Sequence, residues 1–225
     1  MKNILRSNAL SKYFKKLDYF DKEYIEQLDV ELAKMINDPD GIYFHKTHNQ
    51  ICINTHKDFK TERFKGLRDH LIGTGSLIFD WNDDFKYKLS FLREQKAERI
   101  LKKHQKDQRL LERDFNIVCP IFKDTVFEDL YEKLKQKHNI GRLRIMKMNP
   151  RNCLSWHQDT TPRLHIVLNS QKGNFMVIED EIRHLPQYTC WITDTTNNHT
   201  AFNSSKDMRI HIVAVLLDNP ENIID

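Results

Sequence analysis

No apolar run in the 225 residues approaches the ~20 residues that a membrane-crossing helix needs. Residues 1–20 are too often interrupted by Lys and Arg for a signal peptide. The expectation is a cytoplasmic chain with no membrane partner. Cysteine is sparse: Cys52, Cys119, Cys153 and Cys190 are far apart and form no CxxC, which excludes a zinc ribbon and a disulfide framework. Three of them sit in apolar strand-like runs and read as small buried hydrophobes. Gly73-Thr74-Gly75 is followed by no Gly-Lys-Ser/Thr, so it is not a phosphate loop. It reads as a turn feeding an apolar strand that ends at Trp81. No internal repeat, linker or low-complexity tract occurs.

What is present suffices for a buried core. Apolar residues make up 39% and charged residues 30% of the chain, a globular balance at this length. The net charge of +4 permits an acidic partner without demanding one. The first twenty residues lack a clear period and suggest a peripheral helix. Asp21 then caps a helical pattern through Tyr24, Ile25, Leu28, Leu32, Met35 and Ile36, broken at Asn37-Asp38-Pro39-Asp40-Gly41. Residues 42–54 alternate as a strand, and His45, His48 and His56 nearby read as surface imidazoles. Residues 86–113 carry ten Lys/Arg against four Asp/Glu at helical apolar spacing without Pro or Gly. They predict a long basic helix, the one feature that would suit a nucleic-acid partner. A second amphipathic helix follows Asp124, with Val126, Phe127, Leu130, Tyr131 and Leu134 on one face.

Beyond residue 140 the pattern changes to strands, at 142–148, 163–168, 174–179, 188–194 and 209–217, punctuated by Asn149-Pro150, Lys172-Gly173 and Asn197-Asn198. Helices first and short strands after describe a mainly β fold with flanking helices, a double-stranded β-helix of the jelly-roll, cupin-like type. Residues 1–139 form a helical and mixed part packed on the barrel, residues 140–225 the barrel itself, in one compact domain.

His157 and Asp159 are two residues apart, so on extended backbone their side chains leave from one face. His199, between two strand-like runs, is the candidate third ligand. Two His and one carboxylate on one face of a metal suit Fe(II), leaving positions for a co-substrate and dioxygen. Arg209 opens a Val/Ile-rich run, and a guanidinium entering the same cavity would require a carboxylate, which its planar fork holds bidentately.

With Trp156-His157-Gln158-Asp159, Arg163-Leu164-His165-Ile166, His199-Thr200-Ala201-Phe202-Asn203 and Arg209-Ile210-His211 in place, the segment from Ile140 to Leu217 resembles the aspartyl/asparaginyl β-hydroxylases. These are Fe(II)- and 2-oxoglutarate-dependent dioxygenases, and their relatives hydroxylate free amino acids such as proline. The resemblance implies iron on His157, Asp159 and His199, and the distal carboxylate of 2-oxoglutarate on Arg209. It also implies that Arg163 and His165 contact the cosubstrate or order its surroundings. Some members carry Gly at the Asp159 position, and the spacing from His157 to Arg163 is shorter here than in the animal enzymes. Trp156, Trp191 and His211 are expected to line the cavity. The implied reaction is hydroxylation of an Asp, Asn or Pro-type side chain, free or in a polypeptide. The alternatives are a non-catalytic jelly-roll binding protein and a dioxygenase acting on nucleic acid.

Overall fold

Residues 11–44, 49–56, 68–71 and 110–218 are described by the computed structural model. The barrel strands are β5 (Ile140–Met148), β6 (Asn152–Cys153), β7 (Arg163–Asn169), β8 (Asn174–Ile178), β9 (Glu181–Arg183), β10 (Cys190–Thr193), β11 (His199–Asn203) and β12 (Arg209–Leu216). They pair antiparallel in two sheets. One contains the order β10-β7-β12-β5 and the other is β6-β11-β8-β9. Eight strands, four in each sheet and with the chain crossing repeatedly between them, make a double-stranded β-helix.

Two strands from the N-terminal part extend the larger sheet. β1 (Phe14–Leu17) pairs with β10 on one edge, and β2 (Gln50–Cys52) pairs with β5 on the other. The expected helix over the first twenty residues is therefore corrected at 14–17. A segment without helical period has no apolar stripe to bury, and the open edge of β10 supplies the backbone partners. Beyond β2, β3 (Asn54–His56) pairs with β4 (Phe115–Val118). His56, expected at the surface, is buried in this ribbon against Phe115, its Nε2 3.6 Å from Asp114.

The larger sheet is covered on both faces, so its strands are apolar on one side and functional on the other. On β7, Leu164, Ile166 and Leu168 face outward, and on β12 so do Ile212, Ala214 and Leu216. Onto this face pack α1 (Lys22–Asn37) through Ile25, Leu28 and Leu32, and α2 (Val126–Lys135) through Phe127, Leu130 and Leu134. Asp21 caps α1 by accepting from the Tyr24 amide at 2.8 Å. The cap of α2 is Thr125, not Asp124, which sits at φ 58° with its amide donating to Glu128. The turn at Lys172-Gly173 does require its glycine: φ is 127°, and a Cβ there would meet Ser204 Oγ at 2.8 Å.

The space between the two sheets is divided. Phe14, Val167, Met176, Ile178, Leu185 and Trp191 fill one part as an apolar cluster. The other part is the cavity described below. Most of the basic stretch expected as a helix over 86–113, and the Gly73–Trp81 segment, lie outside the described residues, as do His45 and His48. Where the basic stretch is described it is not α-helical: Leu110 forms a buried β-bridge, and Glu112–Asp114 makes one 3-10 turn leading into β4. Glu112 is drawn inward there by two arginines.

Candidate metal and anion site

A cavity of about 270 Å³ opens between the sheets, lined by His157, Asp159, His199, Arg163, His165, Arg209 and His211 among others. Seven residues anticipated at the site thus converge. The alternation of the strands explains why. Arg163 and His165 share the inner face of β7, Arg209 and His211 the inner face of β12, while their even-spaced neighbours carry the outer core.

His157, Asp159 and His199 stand close enough for one ion, their ligand atoms all within 4.8 Å of one another. The two histidine backbones are joined by a reciprocal antiparallel bridge, His157 N–H to His199 O at 3.1 Å and His199 N–H to His157 O at 2.9 Å. Each ring is also oriented by its own chain. Nδ1 of His157 lies 2.7 Å from the Ser155 carbonyl, and Nδ1 of His199 lies 3.0 Å from the Asn197 carbonyl. A carbonyl only accepts, so both Nδ1 atoms carry the proton and both Nε2 atoms keep a lone pair. Burial holds the His199 pKa below its ordinary value, which favours the neutral, ligating form. Nε2 of His199 is 3.7 Å from Asp159 Oδ2. Two outward-facing nitrogens and a carboxylate fit a divalent cation such as Fe(II).

Asp159 is steadied from behind. Arg163 Nε lies 3.1 Å from Asp159 Oδ2, and the same guanidinium reaches Glu112 Oε2 at 3.1 Å. Glu112 also pairs with Arg142. Arg163, expected to touch a cosubstrate, is thus directed at carboxylates of the protein itself. Glu112 was not anticipated. It lies far upstream in a stretch that reads as a solvated helix face, and only the folded strands bring Arg142 and Arg163 to it.

Arg209 has the opposite character. It faces the cavity with no carboxylate partner among the described residues, and burial pushes its pKa down to about 10. Its guanidinium donates to Nδ1 of His211 at 3.1 Å. That nitrogen also lies 3.3 Å from Nδ1 of His165. Nδ1 of His211 is therefore the acceptor, His165 donates from its own Nδ1, and both imidazoles are neutral. Burial is the first reason that both have pKa values well below the ordinary range, and the Arg209 charge is the next. Their Nε2 atoms are buried without a hydrogen-bond partner.

Trp156 and Trp191 do not line the cavity. Trp156 is 57% exposed, at a bend immediately before His157. Trp191 lies between the sheets but belongs to the apolar cluster, its Nε1 donating to Thr189. Residues that were missed include Arg144, Met146 and Met148 on β5 and Gln50 on β2, all at the cavity wall. The alternation Arg142-x-Arg144-x-Met146-x-Met148 was the available signal, since a charged residue on the inner side of a buried strand needs a partner there.

A family model described as aspartyl/asparaginyl beta-hydroxylase matches residues 96–218. No curated protein matches the chain. Among solved structures, a cupin domain from Bordetella pertussis is 9% identical with a TM-score of 0.31, over 34% of this chain and 81% of that one. A predicted oxalate decarboxylase from Thermotoga maritima is 15% identical with a TM-score of 0.31, over 38% and 73%. An oxidoreductase of the 2OG-Fe(II) oxygenase family from Burkholderia pseudomallei is 17% identical with a TM-score of 0.32, over 44% and 60%.

Proposed function

Since the chain belongs to the aspartyl/asparaginyl β-hydroxylase family, whose model spans more than half of it, we propose that it is an Fe(II)- and 2-oxoglutarate-dependent dioxygenase. Its substrate is an Asp, Asn or Pro-type amino-acid side chain, free or in a polypeptide, and its co-products are succinate and carbon dioxide. One observation carries the reading: the cavity that gathers two Nε2 lone pairs and a carboxylate also receives the half-buried guanidinium of Arg209, which has no carboxylate partner among the described residues. A small dicarboxylic acid that chelates a metal at one end satisfies both.

Each residue then has a task. His157, Asp159 and His199 would hold the metal, which with the oxo acid and dioxygen would supply oxidising power that side chains lack. Arg163, fixed by Glu112, keeps the Asp159 carboxylate turned toward the two imidazoles. Arg209 takes the distal carboxylate of the cosubstrate in a bidentate pair. His211 fixes the guanidinium by accepting one of its N–H groups, so the fork is preorganised before the acid arrives. Neutral His165 and His211 add no competing charge beside Arg209. Met146, Met148 and Val213 wall the cavity with apolar surface that excludes water from the reacting carbon.

The test is anaerobic addition of Fe(II) and 2-oxoglutarate while watching for the weak visible charge-transfer band of a chelated oxo acid. A band in the wild type that His199→Ala and Arg209→Ala both abolish supports the reading. No band at saturating ligand would sink it.

A further inference from the structure

The cavity holds a second guanidinium that cosubstrate binding leaves unused. Arg144 lies on the inner face of β5 with Met146 and Met148, and its backbone neighbours are Val213 on β12 and Cys52 on β2. It is 8% exposed. One terminal nitrogen donates to Gln50 Oε1 at 3.0 Å, and the other is 4.0 Å from Glu112 Oε1, the outer limit of an ion pair. Glu112 is already shared by Arg142 and Arg163. Nε of Arg144 is buried with no hydrogen-bond partner. Burial, and then the neighbouring Arg142, push its pKa down to about 10, which still leaves it a cation at neutral pH.

The charges around the cavity do not balance. Arg144, Lys147, Arg163 and Arg209 line it, against the single carboxylate of Asp159 among the described residues. Arg163 is engaged by Asp159 and Glu112, and Nζ of Lys147 lies 4.8 Å from the Phe44 ring centroid. Arg209 is assigned to the cosubstrate. Arg144 is therefore a desolvated cation whose nearest carboxylate among the described residues serves two other arginines, an arrangement that costs free energy unless an anion completes it. Its position suits a separate ligand. Arg209 and Val213, the residue opposite Arg144, are four residues apart on β12, so the two cations leave the sheet about 13 Å apart at the backbone.

We propose that Arg144, with Gln50, forms a second anion subsite that receives a carboxylate of the substrate. The inference rests on the dioxygenase reading in taking the bound acid to be the substrate. The binding of an anion at Arg144 does not depend on it. The substrate class thereby narrows to acids that present a carboxylate toward β2 and β5 while the carbon to be hydroxylated faces the metal residues. Gln50 is the positioning residue: its amide oxygen accepts from Arg144 and so fixes the guanidinium plane.

Chloride-35 NMR tests this without knowledge of the substrate, because chloride exchanging from a buried cation broadens the bulk line. The protein is loaded with Zn(II) and saturated with 2-oxoglutarate, then titrated with chloride. The expected result is a saturable broadening that survives the cosubstrate, is displaced by acetate but not by acetamide, and falls at least tenfold in Arg144→Gln. Arg144→Lys should retain part of it, and Gln50→Leu should weaken chloride severalfold. These two variants keep the charge or the arginine, and decide the matter if Arg144→Gln does not fold. Broadening that vanishes on adding 2-oxoglutarate, or that is unchanged in all three variants, overturns the subsite. Chloride held at Arg209 should be displaced by 2-oxoglutarate, so a parallel titration without the cosubstrate should show additional broadening. Equal broadening with and without it would sink the cosubstrate reading, while the response of the saturated protein to the Arg144 variants decides the anion subsite by itself.

Discussion

The carboxylate of Asp159 lies 3.1 Å from Nε of Arg163, and that ion pair is anchored in turn by Glu112. The carboxylate of the candidate metal site is therefore anchored, through Arg163, by a residue from outside the barrel strands. The line Glu112–Arg163–Asp159 links the N-terminal part of the chain to the chemistry.

Glu112→Gln should show this link. Removing one charge from a buried cluster leaves Arg142 and Arg163 undercompensated, at a cost of roughly 3–5 kcal/mol. A lowered urea midpoint with unchanged slope is expected. Affinity for Zn(II) should fall about 10–100-fold through the loosened Asp159. Lost stability with unaltered metal affinity would mean that Glu112 serves the fold alone.

His157→Ala and His199→Ala should each abolish stoichiometric binding of Co(II) or Fe(II) in anaerobic equilibrium dialysis. Asp159→Asn should weaken it less, because the paired imidazoles remain oriented by the Ser155 and Asn197 carbonyls. Equal loss in all three would show that the carboxylate matters as much as either histidine and that the carbonyl-oriented pair does not suffice.

Replacement of Arg209 by Gln removes a charge-assisted pair worth about 1.5–3 kcal/mol, so the KM for 2-oxoglutarate should rise roughly 10–150-fold. His211→Phe keeps the volume but removes the acceptor of the Arg209 N–H, and a smaller rise in the same constant is expected. A change in kcat alone for His211→Phe would place its role elsewhere.

Stability should fall as pH drops below about 6.5. His165 and His211 are buried and neutral, with pKa values well below the ordinary 6.5. Below that pH the unfolded chain takes up protons that the folded chain refuses, so each histidine contributes a slope of at most about 1.4 kcal/mol per pH unit, with stability rising as pH rises. The contribution is complete above the unfolded pKa and erodes as pH falls beneath it. Denaturant titrations between pH 5 and 7 measure the slope, which should fall in His165→Phe by at most about 1.4 kcal/mol per pH unit if that side chain packs equivalently, His211 and His199 supplying the remainder.

The jelly roll and most of the site were legible because both obey a period of two. His157 and Asp159, Arg163 and His165, and Arg209 and His211 each share a face simply by being two apart on extended backbone. The same rule, applied to β5, would have found Arg144 beside Met146 and Met148. Glu112 could not be found this way. Its partners lie on β5 and β7, and no local pattern ties an acidic residue in a basic stretch to strands far along the chain. The first strand was similarly hidden, since Phe14–Leu17 is short and is extended only because β10 offers it an edge.

The reciprocal backbone bridge between His157 and His199 carries a further meaning. The bridge continues the β6–β11 pairing of the smaller sheet, so neither imidazole has its companion until those two strands, far apart in the chain, have paired. Metal capture is then a report on chain closure: a chain with its larger sheet formed and its smaller sheet open would bind weakly through one ring. Iron taken up in the finished protein would in return act as a clasp, slowing the opening of the smaller sheet.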